Sequence, residues 1–148
     1  MFNLTRPPPR VLLVDDDADT RKTLRMCLNQ VGIEAAEAAN APDALKKVSE
    51  SVPHAVLLDM SLPDIDGYDL CRMLRERPDT HRTPIIAVTG HAYRADIQRA
   101  RDAGCNAVLV KPCPPQYVLL ELQRLLPLNR IPPVPATSSR SAKASYTL

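Results

Sequence analysis

Short apolar runs alternate along this chain with longer amphipathic stretches, and no other feature limits the possible folds as strongly. Four runs are apolar at every position, at residues 11–14, 55–58, 85–88 and 107–110. Such runs are typical of strands that are buried on both faces of a parallel sheet. A weaker fifth strand is predicted at residues 33–38.

The stretches between these runs have the spacing of amphipathic helices. Leu24, Leu28 and Val31, for example, recur three or four positions apart and so share one helix face. Parallel strands that alternate with helices through short connections require right-handed crossovers. We therefore predict an α/β fold, a doubly wound five-stranded parallel sheet of order 2-1-3-4-5 flanked by five helices. The helices are predicted over roughly residues 19–31, 41–50, 67–76, 92–103 and 115–126.

The predicted domain occupies residues 10–126, and both ends of the chain have a different composition. Prolines at positions 7, 8 and 9 remove three backbone donors in a row, so residues 1–9 are expected to be flexible. Residues 127–148 are rich in Pro and Ser and are predicted to be a disordered tail. Neither end carries an acidic residue, but their scattered cations are a weak signal for nucleic-acid binding.

Composition excludes several classes of protein. No apolar run approaches the roughly 20 residues of a membrane helix, and the first residues lack an apolar signal segment, so a cytoplasmic protein without membrane contact is expected. The four cysteines lie far apart without a C-x-x-C spacing, which argues against a metal cage and, in the cytoplasm, against disulfides. Aromatic residues make up 3% of the chain, with no Trp, so a stacking surface for single-stranded nucleic acid is not expected.

Polar residues follow the ends of the predicted strands. Asp15 and Asp16 follow the first strand, Asp59 the third, Thr89 the fourth and Lys111 the fifth. Because the carboxyl ends of parallel strands meet at one edge of an open sheet, these side chains are expected to converge there. Neighbouring carboxylates raise one another's pKa, a cost that a bound cation offsets, and oxygen ligands suit Mg²⁺.

Other acidic residues near these positions are better explained as helix caps. Asp17 or Asp19 is expected to cap the first helix. Asp64, Asp66 and Gly67 resemble a metal-binding loop, but a turn followed by a cap explains them better.

Four motifs at the strand ends resemble the receiver domain of two-component response regulators. They read VLLVDD at residues 11–16, LLDMSLPDIDG at 57–67, VTG at 88–90 and LVKP at 109–112. The resemblance covers about residues 10–126. It implies a flavodoxin-like receiver fold and a role in signal transduction.

The resemblance also implies which residues act. Asp59 would be the phosphoacceptor, and Asp16, Asp59 and the backbone carbonyl of Ser61 would be ligands of Mg²⁺, for which Mn²⁺ can substitute. Asp15 would act on the metal mainly through a water. Two further residues, Thr89 and Lys111, would contact the phosphoryl group, and the Lys111–Pro112 bond is usually cis in this family.

One position departs from the family pattern. Receivers usually place an aromatic residue three positions before the lysine, where this chain has Val108. A β-branched aliphatic side chain has no ring to swing, so the usual coupling of the threonine to an aromatic residue is left open. Tyr93 is an alternative reporter of loop position, although packing is its simpler role.

The sequence therefore predicts a phosphoacceptor response regulator in a phosphorelay, phosphorylated on Asp59. Its expected partners are a sensor histidine kinase or histidine phosphotransfer protein, and a downstream protein that binds the face formed by residues 92–126. It is expected to be a monomer or weak homodimer and not an enzyme with a separate substrate. Two alternatives stay open: a receiver-like interaction module that works without phosphorylation, and a phosphatase of the haloacid dehalogenase type. The phosphatase family has a second Asp where this chain has Ser61.

Overall fold

The computed structural model describes residues 7–91, 93–127 and 145–148 of the chain. Within these ranges, strands and helices alternate in the predicted order. The strands are β1 (Arg10–Val14), β2 (Glu34–Ala38), β3 (Ala55–Asp59), β4 (Ile85–Thr89), β5 (Ala107–Val110) and β6 (Ser145–Thr147). The helices are α1 (Ala18–Gln30), α2 (Ala41–Glu50), α3 (Gly67–Glu76), α4 (Arg94–Ala103) and α5 (Pro115–Leu125).

The sheet has the order β2-β1-β3-β4-β5-β6. Strands β1 to β5 are parallel, which confirms the predicted order 2-1-3-4-5. The register places Val14 opposite Leu58 and Asp59 opposite Val88. The carboxyl ends of β1, β3 and β4 therefore lie side by side.

The end of the chain adds a strand to the sheet. Residues 145–147, which lie in the segment predicted to be a disordered tail, form β6, which pairs antiparallel with β5, and the Leu148 N–H donates to the Asn106 carbonyl at 3.1 Å. Without β6, β5 would be a sheet edge, whose unpaired backbone groups accept another strand. The remainder of that segment, residues 128–144, lies outside the described residues.

The first strand begins at Arg10. Pro9, the residue before it, is buried, and its carbonyl accepts the Glu34 N–H at 2.9 Å. Residues 1–6 lie outside the described range.

Alternating side chains of the strands fill two separate apolar layers. Leu12 and Val14 of β1 pack on the face covered by α2, α3 and α4, whereas Val11 and Leu13 pack on the face covered by α1 and α5. Because both faces of the sheet are covered, β1, β3, β4 and β5 each contain a continuous apolar run. In the described part of the chain, no helix is long and apolar enough to cross a membrane.

Candidate functional site

Three carboxylates meet at the carboxyl edge of the sheet. Asp15 and Asp16 follow β1, and Asp59 ends the neighbouring strand β3. One oxygen of each lies within 4.8 Å of the others. Asp15 and Asp59 are buried, whereas Asp16 is exposed, so the cluster opens to solvent on one side.

Lys111 brings a positive charge into this cluster from the end of β5. Its Nζ lies 3.3 Å from Asp59 Oδ2 and 3.8 Å from Asp15 Oδ2. The side chain is 38% exposed, so it reaches the buried carboxylates from the solvent side. The Lys111–Pro112 bond is cis, as the family resemblance implies.

The two buried carboxylates are held in the same way. Asp15 Oδ1 accepts the backbone N–H of Asp17 at 2.9 Å, and Asp59 Oδ1 accepts that of Ser61 at 3.0 Å. In both residues the second oxygen, Oδ2, faces Lys111. One oxygen of each carboxylate is thus fixed by its own loop, and the other points into the cluster.

Burial determines the titration of Asp15. Removal from water raises the pKa of this carboxyl, and the charge of Asp59 raises it further, while the Asp17 N–H and Lys111 act in the opposite direction. Three carboxylates and one ammonium group leave an excess of two negative charges. Such a site favours a divalent cation with oxygen ligands.

Thr89 ends β4, one residue beyond the position opposite Asp59. It is buried, and its Oγ1 accepts the His91 N–H at 3.1 Å. Its carbonyl accepts the Lys111 N–H at 2.8 Å. The hydroxyl is therefore engaged by its own loop, while the backbone of the same residue holds the start of the Lys111 loop.

Gly67 brings the start of α3 against the backbone that carries Asp59. A Cβ on residue 67 would lie 2.6 Å from Met60 Cα and 2.9 Å from the Asp59 carbonyl oxygen. Asp66 caps α3 by accepting the Tyr68 N–H at 2.8 Å, and Asp64 accepts the Ala41 N–H at the start of α2. The interpretation of this loop as a turn and cap is confirmed.

Asp17 caps α1, accepting the Asp19 N–H at 3.2 Å, so of the two candidates Asp17 is the cap. A contact that sequence reasoning missed lies one turn later. Arg21 donates from Nη1 to the Asp15 carbonyl at 2.6 Å and pairs with Glu37 of β2. In a helix rich in charged residues, nothing in the sequence distinguishes Arg21 from a solvent-exposed cation.

Tyr93 does not pack in the core, so the simpler role considered for it is wrong. The residue is 72% exposed, and its ring stacks on that of His91, with 6.1 Å between ring centroids. It is the residue just before α4, and the buried residues of that helix, Ala100 and Ala103, lie near its other end. Val108, in contrast, is buried among the residues under α3 and α4.

A cavity of about 510 Å³ adjoins the carboxylates between α1 and the start of α5. Asp15, Asp59 and Lys111 line its polar end, and Leu24 and Val118 line part of its apolar wall. The site is therefore an open groove with one charged end.

Comparisons with known proteins agree with this geometry. The family model of the response regulator receiver domain matches residues 11–123. An uncharacterized 14.6 kDa protein of Leptolyngbya boryana is 39% identical over 116 residues, which cover 78% of this chain and 86% of that protein. The transcriptional regulatory protein ResD of Bacillus subtilis is 36% identical over 79% of this chain, which spans 48% of ResD.

Solved structures give the same result. The chemotaxis response regulator CheY4 of Vibrio cholerae superposes with a TM-score of 0.77 at 28% identity, over 80% of this chain and 99% of that structure. The matched region contains the whole carboxylate cluster and Lys111. The chain therefore belongs to the family of response regulator receiver domains of two-component systems.

Proposed function

We propose that this chain is a phosphoacceptor response regulator, phosphorylated on Asp59 by a histidine kinase or a histidine phosphotransfer protein. The observation that carries the proposal is the 3.3 Å approach of Lys111 Nζ to Asp59 Oδ2, beside two further carboxylates. A phosphoacceptor needs one oxygen free for attack and fixed positive charge near it. Asp59 has Oδ1 held by Ser61 and Oδ2 facing the ammonium group.

The transfer forms one bond and breaks one. A carboxylate oxygen of Asp59 bonds to phosphorus, the phosphorus–nitrogen bond of the partner's phosphohistidine breaks, and the imidazole keeps the electron pair. Lys111 stabilises the negative charge of the phosphoryl oxygens, and its position near Asp59 means that little reorganisation is needed.

We infer that Asp16, Asp59 and the Ser61 carbonyl hold Mg²⁺, with Mn²⁺ as a substitute and Asp15 acting through a water. The donor set supports this, because the carboxylates supply only oxygen and their charge exceeds that of Lys111 by two. When bound, the ion neutralises charge on the transferring phosphoryl group.

Thr89 is proposed to report phosphorylation. Its hydroxyl now accepts the His91 N–H, and it would donate to a phosphoryl oxygen once the loop moves inward. A shift from mostly inactive to mostly active requires about 5 kcal/mol of preference for one state. A few charge-assisted hydrogen bonds supply an amount of this size.

The downstream partner is proposed to be a protein that binds the face formed by residues 92–126. The described part of this face includes α4, whose Arg94, Gln98 and Arg101 are exposed, and α5. We further propose a cytoplasmic monomer or weak homodimer that turns over no separate substrate and binds no nucleic acid.

Phosphate incorporation from a small phosphodonor tests the proposal. Wild-type protein with Mg²⁺ should incorporate one phosphoryl group, and Asp59→Asn should incorporate none. The Asp43→Asn variant, which changes a carboxylate of α2 outside the site, should be labelled like wild type. If wild type and Asp59→Asn incorporate the same amount of phosphate or none, an interaction module that works without phosphorylation is favoured. Turnover of a generic phosphomonoester would favour a phosphatase.

A further inference from the structure

Two thiols contact one another beneath α3 and α4. Cys71 lies on α3, and Cys105 follows Gly104, the residue that caps the end of α4. Their Sγ atoms are 3.4 Å apart, and the Cys105 thiol donates to Cys71 Sγ. The residues are 0% and 5% exposed, and both are free cysteines. Neither belongs to the site proposed above.

Arg75 fastens the backbone on both sides of Cys105 to the helix that carries Cys71. Its Nε donates to the Gly104 carbonyl at 2.9 Å, and its Nη2 donates to Asn106 Oδ1 at 2.7 Å. Gly104 has a φ of 103°, and a Cβ there would lie 2.9 Å from Arg75 Cγ. The arginine thus packs directly on the glycine, and its hydrogen bonds hold the backbone next to Cys105 beside the helix that carries Cys71.

We propose that Cys71 and Cys105 form a reversible redox modification site, at which a peroxide joins the two sulfurs in a disulfide. The Sγ atoms, now 3.4 Å apart, must approach one another by about 1.4 Å to reach the usual bond length. The other cysteines, Cys27 and Cys113, are partly exposed and are expected not to join this link.

Cys71 is the nucleophile of the pair. The hydrogen bond from Cys105 lowers the pKa of the Cys71 thiol, and the charges of Arg75 and Arg72 favour its thiolate. The hydrogen bond to Cys71, together with burial, raises the pKa of Cys105. When the pair loses one proton, that proton therefore leaves Cys71, whose thiol otherwise donates to the Ala103 carbonyl at 3.3 Å.

The reaction balances in two steps. The Cys71 thiolate attacks a peroxide oxygen, the O–O bond breaks, and the leaving hydroxide takes up a proton as water, which gives a sulfenic acid on Cys71. The Cys105 sulfur then attacks the Cys71 sulfur, the S–O bond breaks, and the oxygen leaves with the Cys105 proton as a second water. The two thiols lose two electrons, which the peroxide gains. Because the pair is buried, we expect the reaction to be slow.

The disulfide ties the end of α4 covalently to α3. Cys105 precedes β5 and Lys111 follows it, so the bond forms at the opposite end of that strand from the carboxylate cluster. Since α4 belongs to the proposed partner face, a restraint on signalling rests on the proposed function, whereas the disulfide itself does not.

Thiol mapping of the full chain tests the proposal. Protein is treated with graded hydrogen peroxide, blocked with N-ethylmaleimide under denaturing conditions, digested and analysed by mass spectrometry. We expect two of the four cysteines to escape alkylation, with the Cys71 peptide linked to the Cys105 peptide and dithiothreitol restoring four reactive thiols. Asp59→Asn should behave identically, so this result is independent of whether Asp59 is the phosphoacceptor.

Matched variants and thermal unfolding complete the test. Cys71→Ala and Cys105→Ala should each abolish the link, whereas Cys27→Ser and Cys113→Ser should retain it. The oxidised protein should unfold about 5–10 °C above the reduced protein, because the link restricts the unfolded chain. The proposal would be overturned by a link through Cys27 or Cys113, or by a crosslink between chains. It would also be overturned if Cys71 and Cys105 stay unmodified after the other thiols have oxidised, or if the oxidised protein unfolds at a lower temperature. The thiol mapping is done on wild-type protein, so its result remains valid even if an alanine variant folds poorly.

Discussion

Replacing Gly67 by alanine should destabilise the fold through a single added carbon. The new Cβ would lie 2.6 Å from Met60 Cα and 2.9 Å from the Asp59 carbonyl oxygen. Both neighbours are backbone atoms of the strand end that carries Asp59, so they cannot rotate away as a flexible side chain would. The start of α3 or the Asp59 strand end must therefore shift.

The magnitude follows from two opposing effects. Overpacking of this kind costs about 1–3 kcal/mol, and alanine recovers up to about 1 kcal/mol through its better helix propensity. We expect a net loss of about 1–2 kcal/mol. For a domain of this size, such a loss lowers the unfolding midpoint by about 4–8 °C.

Gly90→Ala is the matched control. A Cβ on residue 90 meets nothing within 4 Å, so this variant should keep the wild-type midpoint in thermal or urea unfolding. In Gly67→Ala, the displaced loop should also weaken Mg²⁺ binding, measured by calorimetry. A wild-type midpoint for Gly67→Ala, or equal losses in both variants, would refute the close approach as the reason for a glycine here.

Three further predictions concern charge in the site. Lys111→Ala should slow Asp59 labelling by at least about tenfold, because a fixed positive charge near the phosphoryl group is lost, whereas Lys46→Ala, an exposed residue of α2, should label normally in the same assay. In the absence of Mg²⁺, Asp15→Asn should raise the free energy of unfolding. Because the pKa of Asp15 is raised in the folded protein, the stability that this carboxyl contributes is fully present below pH 3.8 and is lost as the pH rises through the folded-state pKa. Urea unfolding across this pH range should show that the free energy of unfolding of the variant exceeds that of wild type by an amount that increases with pH and then reaches a plateau. A difference that does not change with pH would contradict the assignment. Mg²⁺ at 100 times its Kd should stabilise wild type by about 2.7 kcal/mol, and chelation should abolish labelling; Asp16→Ala should lose most of both effects, and full Mg²⁺ stabilisation of that variant would exclude Asp16 as a ligand.

Side chains at strand ends were predictable because their positions follow from the sheet alone. Once residues 11–14 and 55–58 are parallel neighbours, the carboxyls of Asp15 and Asp59 must lie beside one another. Lys111 reaches them from the end of β5, because β4 lies between β3 and β5 and is parallel to both, so that all three strands end at the same edge of the sheet. Local periodicity and topology therefore suffice for this part of the site.

Contacts made by long side chains were not predictable in the same way. Arg75 reaches Gly104 and Asn106, and Arg21 reaches the Asp15 carbonyl. In the sequence, each is one cation among many on a helix. Their partners are backbone groups or residues far along the chain, and no periodicity marks them.

The pairing of β6 with β5 and the contact of Cys71 with Cys105 were missed for related reasons. Composition predicts disorder for residues 127–148 as a whole. The unpaired backbone groups of a sheet edge, however, can pair with any short segment that supplies backbone donors and acceptors. The cysteines are 34 positions apart, and their contact depends on where the loop after α4 meets α3. Both features need the assembled sheet before they can be seen.

Val108 stands where the family motif has an aromatic residue, and the fold provides another series of contacts between the site and α4. Arg99 of α4 pairs with Asp66 at 2.6 Å and lies over the Tyr68 ring, 4.2 Å from its centroid. Asp66 caps α3, and α3 begins against the backbone of Asp59 through Gly67. A continuous series of contacts thus joins Asp59 to α4 without passing through residue 108. Because each exposed ion pair or cation–π contact contributes only about 0.5–1 kcal/mol, this connection is weak enough to rearrange within the roughly 5 kcal/mol that a switch requires.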